Sequence, residues 1–112
     1  MALDMVKGAA KGWVDFDGGA GSLSPRTSYN VASLDDNGAG DYSVNWTTSF
    51  STSTYAAVAS AGMGGSYYST IVGGFGNGGY DASEVRIQVT DGNSSFAVVD
   101  TNVVNVVAFG SL

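Results

Sequence analysis

With 112 residues, this chain has room for one domain and one core, and its 12% charged composition falls well below the roughly 25% of an ordinary globular protein. Ten acidic residues against four basic ones give a net charge of −6, which removes the attraction that drives phosphate-backbone binding and argues against a nucleic-acid partner. Histidine and cysteine are both absent, which excludes disulfides, thiolate nucleophiles, histidine bases and histidine or cysteine metal sites.

Residues 1–11 are the only stretch of helical character, because Ala, Leu, Met and Lys dominate before Gly12 interrupts. A short arm or one-turn helix is expected there, with Leu3, Met5 and Val6 as apolar groups for attachment to another protein. Residues 12–112 form the expected single β domain. No apolar run approaches the roughly 20 residues of a membrane helix, and no secretory segment opens the chain, so a soluble product without membrane insertion is expected.

Strand pattern begins with Trp13 to Phe16, followed by a glycine turn at Gly18 to Gly21 and a strand from Thr27 to Leu34, with Pro25 just ahead of it. Asp35 to Gly40 reads as the next turn. In Asp41 to Thr48, Tyr42, Val44 and Trp46 share one face and Asp41, Ser43, Asn45 and Thr47 the other, the period of a half-buried strand. Tyr55 to Ala61 is different: Tyr55, Ala57 and Ala59 lie on one face and Ala56 and Val58 on the other. Both faces are apolar and both are expected to be covered, with small side chains that permit close approach of another sheet or subunit.

The segment Gly62 to Gly79 holds eight of the seventeen glycines, with a central strand expected at Ser66 to Val72. Glycine adaptability combined with tyrosine contact area is the composition of binding loops. It makes Tyr67, Tyr68, Phe75 and Tyr80 the candidate receptor-binding residues, although inward packing of the tyrosines is the alternative. Further on, Glu84 to Thr90 alternates with Val85, Ile87 and Val89 inward; an Asp-Gly-Asn turn leads into a strand at Phe96 to Asp100. The last strand, Asn102 to Phe109, is apolar on both sides and is not expected to be a free edge.

Taken in order, KGWVDFDG, SYNVASLDDNGAGDYSVNWT, STYAAVAS, SEVRIQV and VDTNVVNVVAFGS make the chain resemble the C-terminal β-rich domain of tailed-phage and prophage tail fibre proteins over about residues 10 to 111. The resemblance implies an all-β, antiparallel, sandwich-like fibre domain that forms a homotrimer. It also implies a structural, non-enzymatic role in the virion, made in the host cytoplasm and often contacting the host surface. Expected partners are copies of itself, other virion proteins such as a fibre shaft, tail or capsid, and a host surface glycan. A capsid decoration or cement protein, and a free-standing carbohydrate-binding module, are the alternatives.

The remaining chemistry rests on carboxylates. Asp15, Asp17, Asp35, Asp36, Asp41, Asp81, Glu84, Asp91 and Asp100 mostly sit in or beside turns, where such groups usually accept local backbone hydrogen bonds. Asp35 to Asp41 resembles a calcium loop in its spaced oxygens but lacks the downstream Glu and flanking helices, so a plain turn is expected, with no metal and no cofactor. Trp13, Phe16, Tyr42, Trp46 and Tyr55 alternate with polar residues and are expected in the core rather than on a sugar-stacking platform.

Overall fold

The computed structural model describes residues 8–62, 68–73, 79–92 and 97–112, which form an all-β sandwich of two antiparallel sheets. Nine strands are described: β1 (Gly12–Phe16), β2 (Pro25–Tyr29), β3 (Val31–Gly38), β4 (Asp41–Trp46), β5 (Ala56–Gly62), β6 (Tyr68–Val72), β7 (Tyr80–Asp81), β8 (Glu84–Asp91) and β9 (Val103–Phe109). Sheet A has the order β2-β1-β9-β5; sheet B has the order β3-β4-β8-β6, with β7 also paired to β8.

The alternation read from the sequence places the core. Val14 and Phe16 of β1, Tyr42, Val44 and Trp46 of β4, Val85, Ile87 and Val89 of β8, and Val104, Val106 and Ala108 of β9 are all buried between the sheets. Each Val, Ile or Phe side chain so removed from water contributes about 1.5–3 kcal/mol. Phe16 meets Tyr42 edge-on with ring centres 5.3 Å apart, tying β1 to β4 across the sandwich. At the other end Trp46, Phe50 and Tyr55 form a cluster in which Phe50 and Tyr55 stack at 4.0 Å.

The expected strand from Thr27 to Leu34 is two strands in two sheets. Asn30 takes φ 58°, a left-handed conformation that asparagine tolerates better than most residues. β2 leaves sheet A there and β3 enters sheet B. Asn30 is held at the corner by its own amide, which donates to the carbonyls of Lys11 (2.9 Å) and Thr48 (3.1 Å) and accepts the Thr48 N–H at 2.7 Å.

Two other expectations shift. The turn expected over Asp35 to Gly40 is shorter, because β3 continues to Gly38 and only Ala39 and Gly40 turn. The strand expected from Phe96 to Asp100 reduces, among the described residues, to an isolated bridge between Val98 and Thr90. By contrast β9 is interior to sheet A, paired with β1 on one side and β5 on the other, as its two-sided apolarity required. β6 begins within the expected Ser66 to Val72 strand.

The opposite margin of the sandwich joins β5 to β6. Ala57, Ala59 and Ala61 face inward and are partly buried, so the two edge strands approach closely, and Thr70 Oγ1 donates to the Ala59 carbonyl at 2.9 Å. A side-chain hydroxyl from one sheet thus satisfies an edge carbonyl of the other, which blunts that edge against pairing with another strand.

Candidate functional site

Of the candidate receptor residues, Tyr67 and Phe75 lie outside the described residues, as do the arm residues Leu3, Met5 and Val6. Tyr68 opens β6 and Tyr80 opens β7; both are half-buried against the core. The Tyr80 ring lies 5.1 Å from Tyr55 at 68°, and its hydroxyl is 3.5 Å from the Ala57 carbonyl. Its other neighbour is Gly73, at φ 66°, where an added Cβ would stand 2.0 Å from the ring.

β6 and β7 flank a single residue of β8. Gly73 N–H donates to the Arg86 carbonyl, and Arg86 N–H donates to the Gly79 carbonyl, each at 2.9 Å. Gly73 and Gly79 meet back to back: a Cβ on Gly79 would fall 2.5 Å from the Gly73 carbonyl oxygen. Gly73 after β6 and Gly79 before β7 therefore meet at one point of β8, and these glycines of the segment expected to supply adaptability also allow this close approach. Beside it, Ser53, Thr54, Tyr55 and Tyr80 line an open cleft of about 490 Å³.

Most carboxylates of the described residues are engaged in local structure. Asp17, Asp36 and Asp81 accept the amides of Gly19, Gly38 and Ser83, two residues ahead of each. Asp35 accepts from Asn45, whose amide also reaches Ser33. Asp41 takes a two-pronged contact from Arg86, Nε to Oδ1 at 2.8 Å and a terminal nitrogen to Oδ2 at 2.6 Å. Asp15 pairs with Arg26, which also donates to the Asn102 carbonyl at 2.6 Å. Among the described residues no group of three or more His, Cys, Asp or Glu is placed to hold a metal ion.

These contacts set the electrostatics. The hydrogen bond from Arg86 holds the Asp41 carboxyl below its usual range against a smaller opposing effect of burial. The Ser83 amide and hydroxyl lower Asp81 in the same direction. Burial raises the Tyr42 phenol strongly, reinforced by the Asp100 carboxylate, and burial pushes the Tyr55 phenol up to about 12. The high-affinity protons thus belong to core tyrosines that position strands.

The outward faces of the two sheets differ sharply. Sheet B presents Ser33, Asp35, Asp41, Asn45, Glu84, Arg86 and Gln88, with Asn45 bonded to Ser33 and Asp35 and Arg86 to Asp41 as above, and Ile71 as an exposed apolar residue. Sheet A presents a cross-strand row in which Tyr29 opposes Trp13, Trp13 opposes Val107 and Val107 opposes Val58; Phe109 opposes Ala56 in the adjoining row. Trp13 thus leaves the core assigned to it from sequence. It stands three residues from Phe16, an odd separation, so when Phe16 points inward Trp13 must point out. Covering of both faces of β5 is also not met among the described residues: Val58 is 62% exposed.

No protein family model, curated protein or solved structure matches this chain.

Proposed function

We propose that this chain is a non-enzymatic virion structural protein of a tailed phage, a homotrimeric fibre domain at a tail fibre tip or head fibre. The observation that carries the reading is the use made of its acidic groups. Asp15, Asp17, Asp35, Asp36, Asp41, Asp81 and Asp100 each hold a turn, a strand pair or an arginine. A catalytic acid or base needs a free proton-transfer position facing substrate, and carboxylates occupied by local donors serve shape instead. The sequence resemblance to fibre domains supplies the virion setting, and residues 1–11 remain the proposed attachment arm to a fibre shaft, tail or capsid protein.

Mass spectrometry and immunogold labelling of purified particles test this reading: the protein is expected in stoichiometric copies at the fibre or capsid surface. Its absence from intact particles would sink it. A decoration role on the capsid is the same reading at a different address, and the gold label separates the two.

Contact with a host surface glycan is the second reading, favoured by the cleft where Tyr80 lies beside Ser53 and Thr54, an aromatic face next to hydroxyl groups. Saturable binding of a glycan by the isolated protein, lost in Tyr80→Ala but retained in Ile71→Ala, is its expected signature.

A further inference from the structure

We infer that the outward face of sheet A, centred on the Tyr29–Trp13–Val107–Val58 row and on Phe109, is the surface through which copies of this chain associate. This deepens the homotrimer reading by naming its interface, and it rests on that reading. Three of the five exposed large hydrophobics of the described residues lie on this face: Tyr29 at 41%, Val58 at 62% and Phe109 at 38%. They are neighbours by strand register, so the apolar groups are contiguous rather than scattered. Contiguous exposed apolar surface of this kind marks a contact site.

The next row on the same face is Thr27, Asp15, Asn105 and Ser60, with Asn105 donating to Ser60 at 3.4 Å. An apolar centre beside a polar margin is the anatomy of a protein interface.

Charge identifies the occupant. The chain carries −6, yet among the described residues the exposed charges on this face are Asp15 and Arg26, paired to one another at 3.1 Å, and Lys11 at its margin is buried. Asp35, Asp41 and Glu84 stand on the opposite sheet. Two copies of an acidic chain approach with least repulsion through the one broad face whose charges cancel. Anionic lipid is disfavoured by the same net charge, and a saccharide would find few hydrogen-bond partners along a row of Trp, Val and Tyr.

Area bears on the strength of the contact. Four strands about 4.8 Å apart, each about 20 Å long, present about 400 Å² per copy, so a pair would bury about 800 Å², the size of a transient or lattice contact. Three such faces meeting at one axis divide about 1,200 Å² among three pairwise interfaces of about 400 Å² each, so association through this face is expected to be weak and concentration-dependent, and the number three comes from the fibre reading.

Sedimentation equilibrium and light scattering of the full chain, from about 1 µM to about 1 mM, test the inference. The wild-type chain is expected to form a trimer, favoured by salt as repulsion is screened. Val58→Glu is expected to weaken association by about 100-fold or more, because it buries an unpaired charge. Ile71→Glu, at a solvent-facing site on sheet B that is 42% exposed, is expected to leave it unchanged. Should Val58→Glu fail to fold, the Cys-free chain permits Val58→Cys and Ile71→Cys: maleimide labelling should slow at the first position as concentration rises and stay constant at the second.

A trimer dissociated by Ile71→Glu and not by Val58→Glu overturns the face and leaves the homotrimer standing. A wild-type monomer at every concentration overturns both. If that monomer is nevertheless incorporated into particles, and Val58→Glu prevents it, the face belongs to another virion protein.

Discussion

The phenol oxygen of Tyr42 lies 2.7 Å from Oδ1 of Asp100, and the same carboxylate oxygen accepts the Gly40 amide at 2.8 Å. The Gly18 carbonyl stands 2.9 Å from that phenol. Three connections far apart in sequence, after β1, between β3 and β4, and ahead of β9, are thereby gathered at one end of the sandwich. Tyr42→Phe keeps the ring against Phe16 and removes the hydroxyl, and is expected to cost about 1.5–3 kcal/mol, the range for a hydrogen bond to a charged group. Urea unfolding measures it; a loss under 0.5 kcal/mol, roughly that of a surface substitution, would show that the junction is held by other contacts.

Gly40 in the same junction takes φ 63°, and a Cβ there would stand 2.5 Å from the Val89 carbonyl oxygen and 2.6 Å from that of Val99. Backbone atoms on both sides cannot yield as a side chain could. Gly40→Ala is expected to destabilise by about 3 kcal/mol or more, against near-neutral behaviour for Gly21→Ala, whose added Cβ meets nothing within 4 Å. Thermal melts of the two variants check the contrast.

Asn30 separates conformational from hydrogen-bond effects. Asn30→Gly keeps access to φ 58° and loses the amide contacts to Lys11 and Thr48, whereas Asn30→Ala loses both. Expected losses are about 1–2 kcal/mol for Gly and about 1 kcal/mol more for Ala. Equal losses in denaturant titrations would mean that the left-handed corner carries no strain of its own.

Acid and alkali should act on different groups. Asp41 has its carboxyl lowered in the folded state by Arg86, so its contribution is present above the unfolded value near 3.9 and is lost as pH falls through the lower folded value. Asp41→Asn should remove about 1 kcal/mol at neutral pH and flatten the acid limb of the stability profile. Tyr55, raised to about 12, works in the opposite sense: its contribution is complete below the unfolded value near 10 and is lost as pH rises through 12. A Tyr55→Phe chain should show a shallower alkaline limb, read by circular dichroism between about pH 9 and pH 12.

Tyr80→Ala should lower stability by about 3 kcal/mol, since its ring fills space between Tyr55 and Gly73. An unchanged melting temperature with reduced adsorption of particles to cells would instead assign the ring to receptor contact.

Much of the interior was legible residue by residue. Tyr42, Val44 and Trp46, and Val85, Ile87 and Val89, alternate with polar neighbours and are buried as that alternation requires. The corner at Asn30 was not, because Thr27 to Leu34 has the composition of an unbroken strand and a single left-handed residue leaves no periodic trace. For the candidate site, composition pointed to the glycine-rich segment and located Tyr68 and Tyr80, but not that both rings pack against the core. Trp13 shows the converse: its odd separation from Phe16 was available in the sequence, and its aromatic character concealed it.

What the sequence determined by itself is the class of structure and the side of each strand that carries apolar groups, because a period of two is a local property of extended backbone. Only the tertiary structure decided which strands are neighbours. β9 enters between β1 and β5, aligning Val107 with Trp13 and Val58 from distant parts of the chain. Alternation assigns a residue to a face without saying what lies beside it, so the apolar row on sheet A exists only once long-range pairing has set its register.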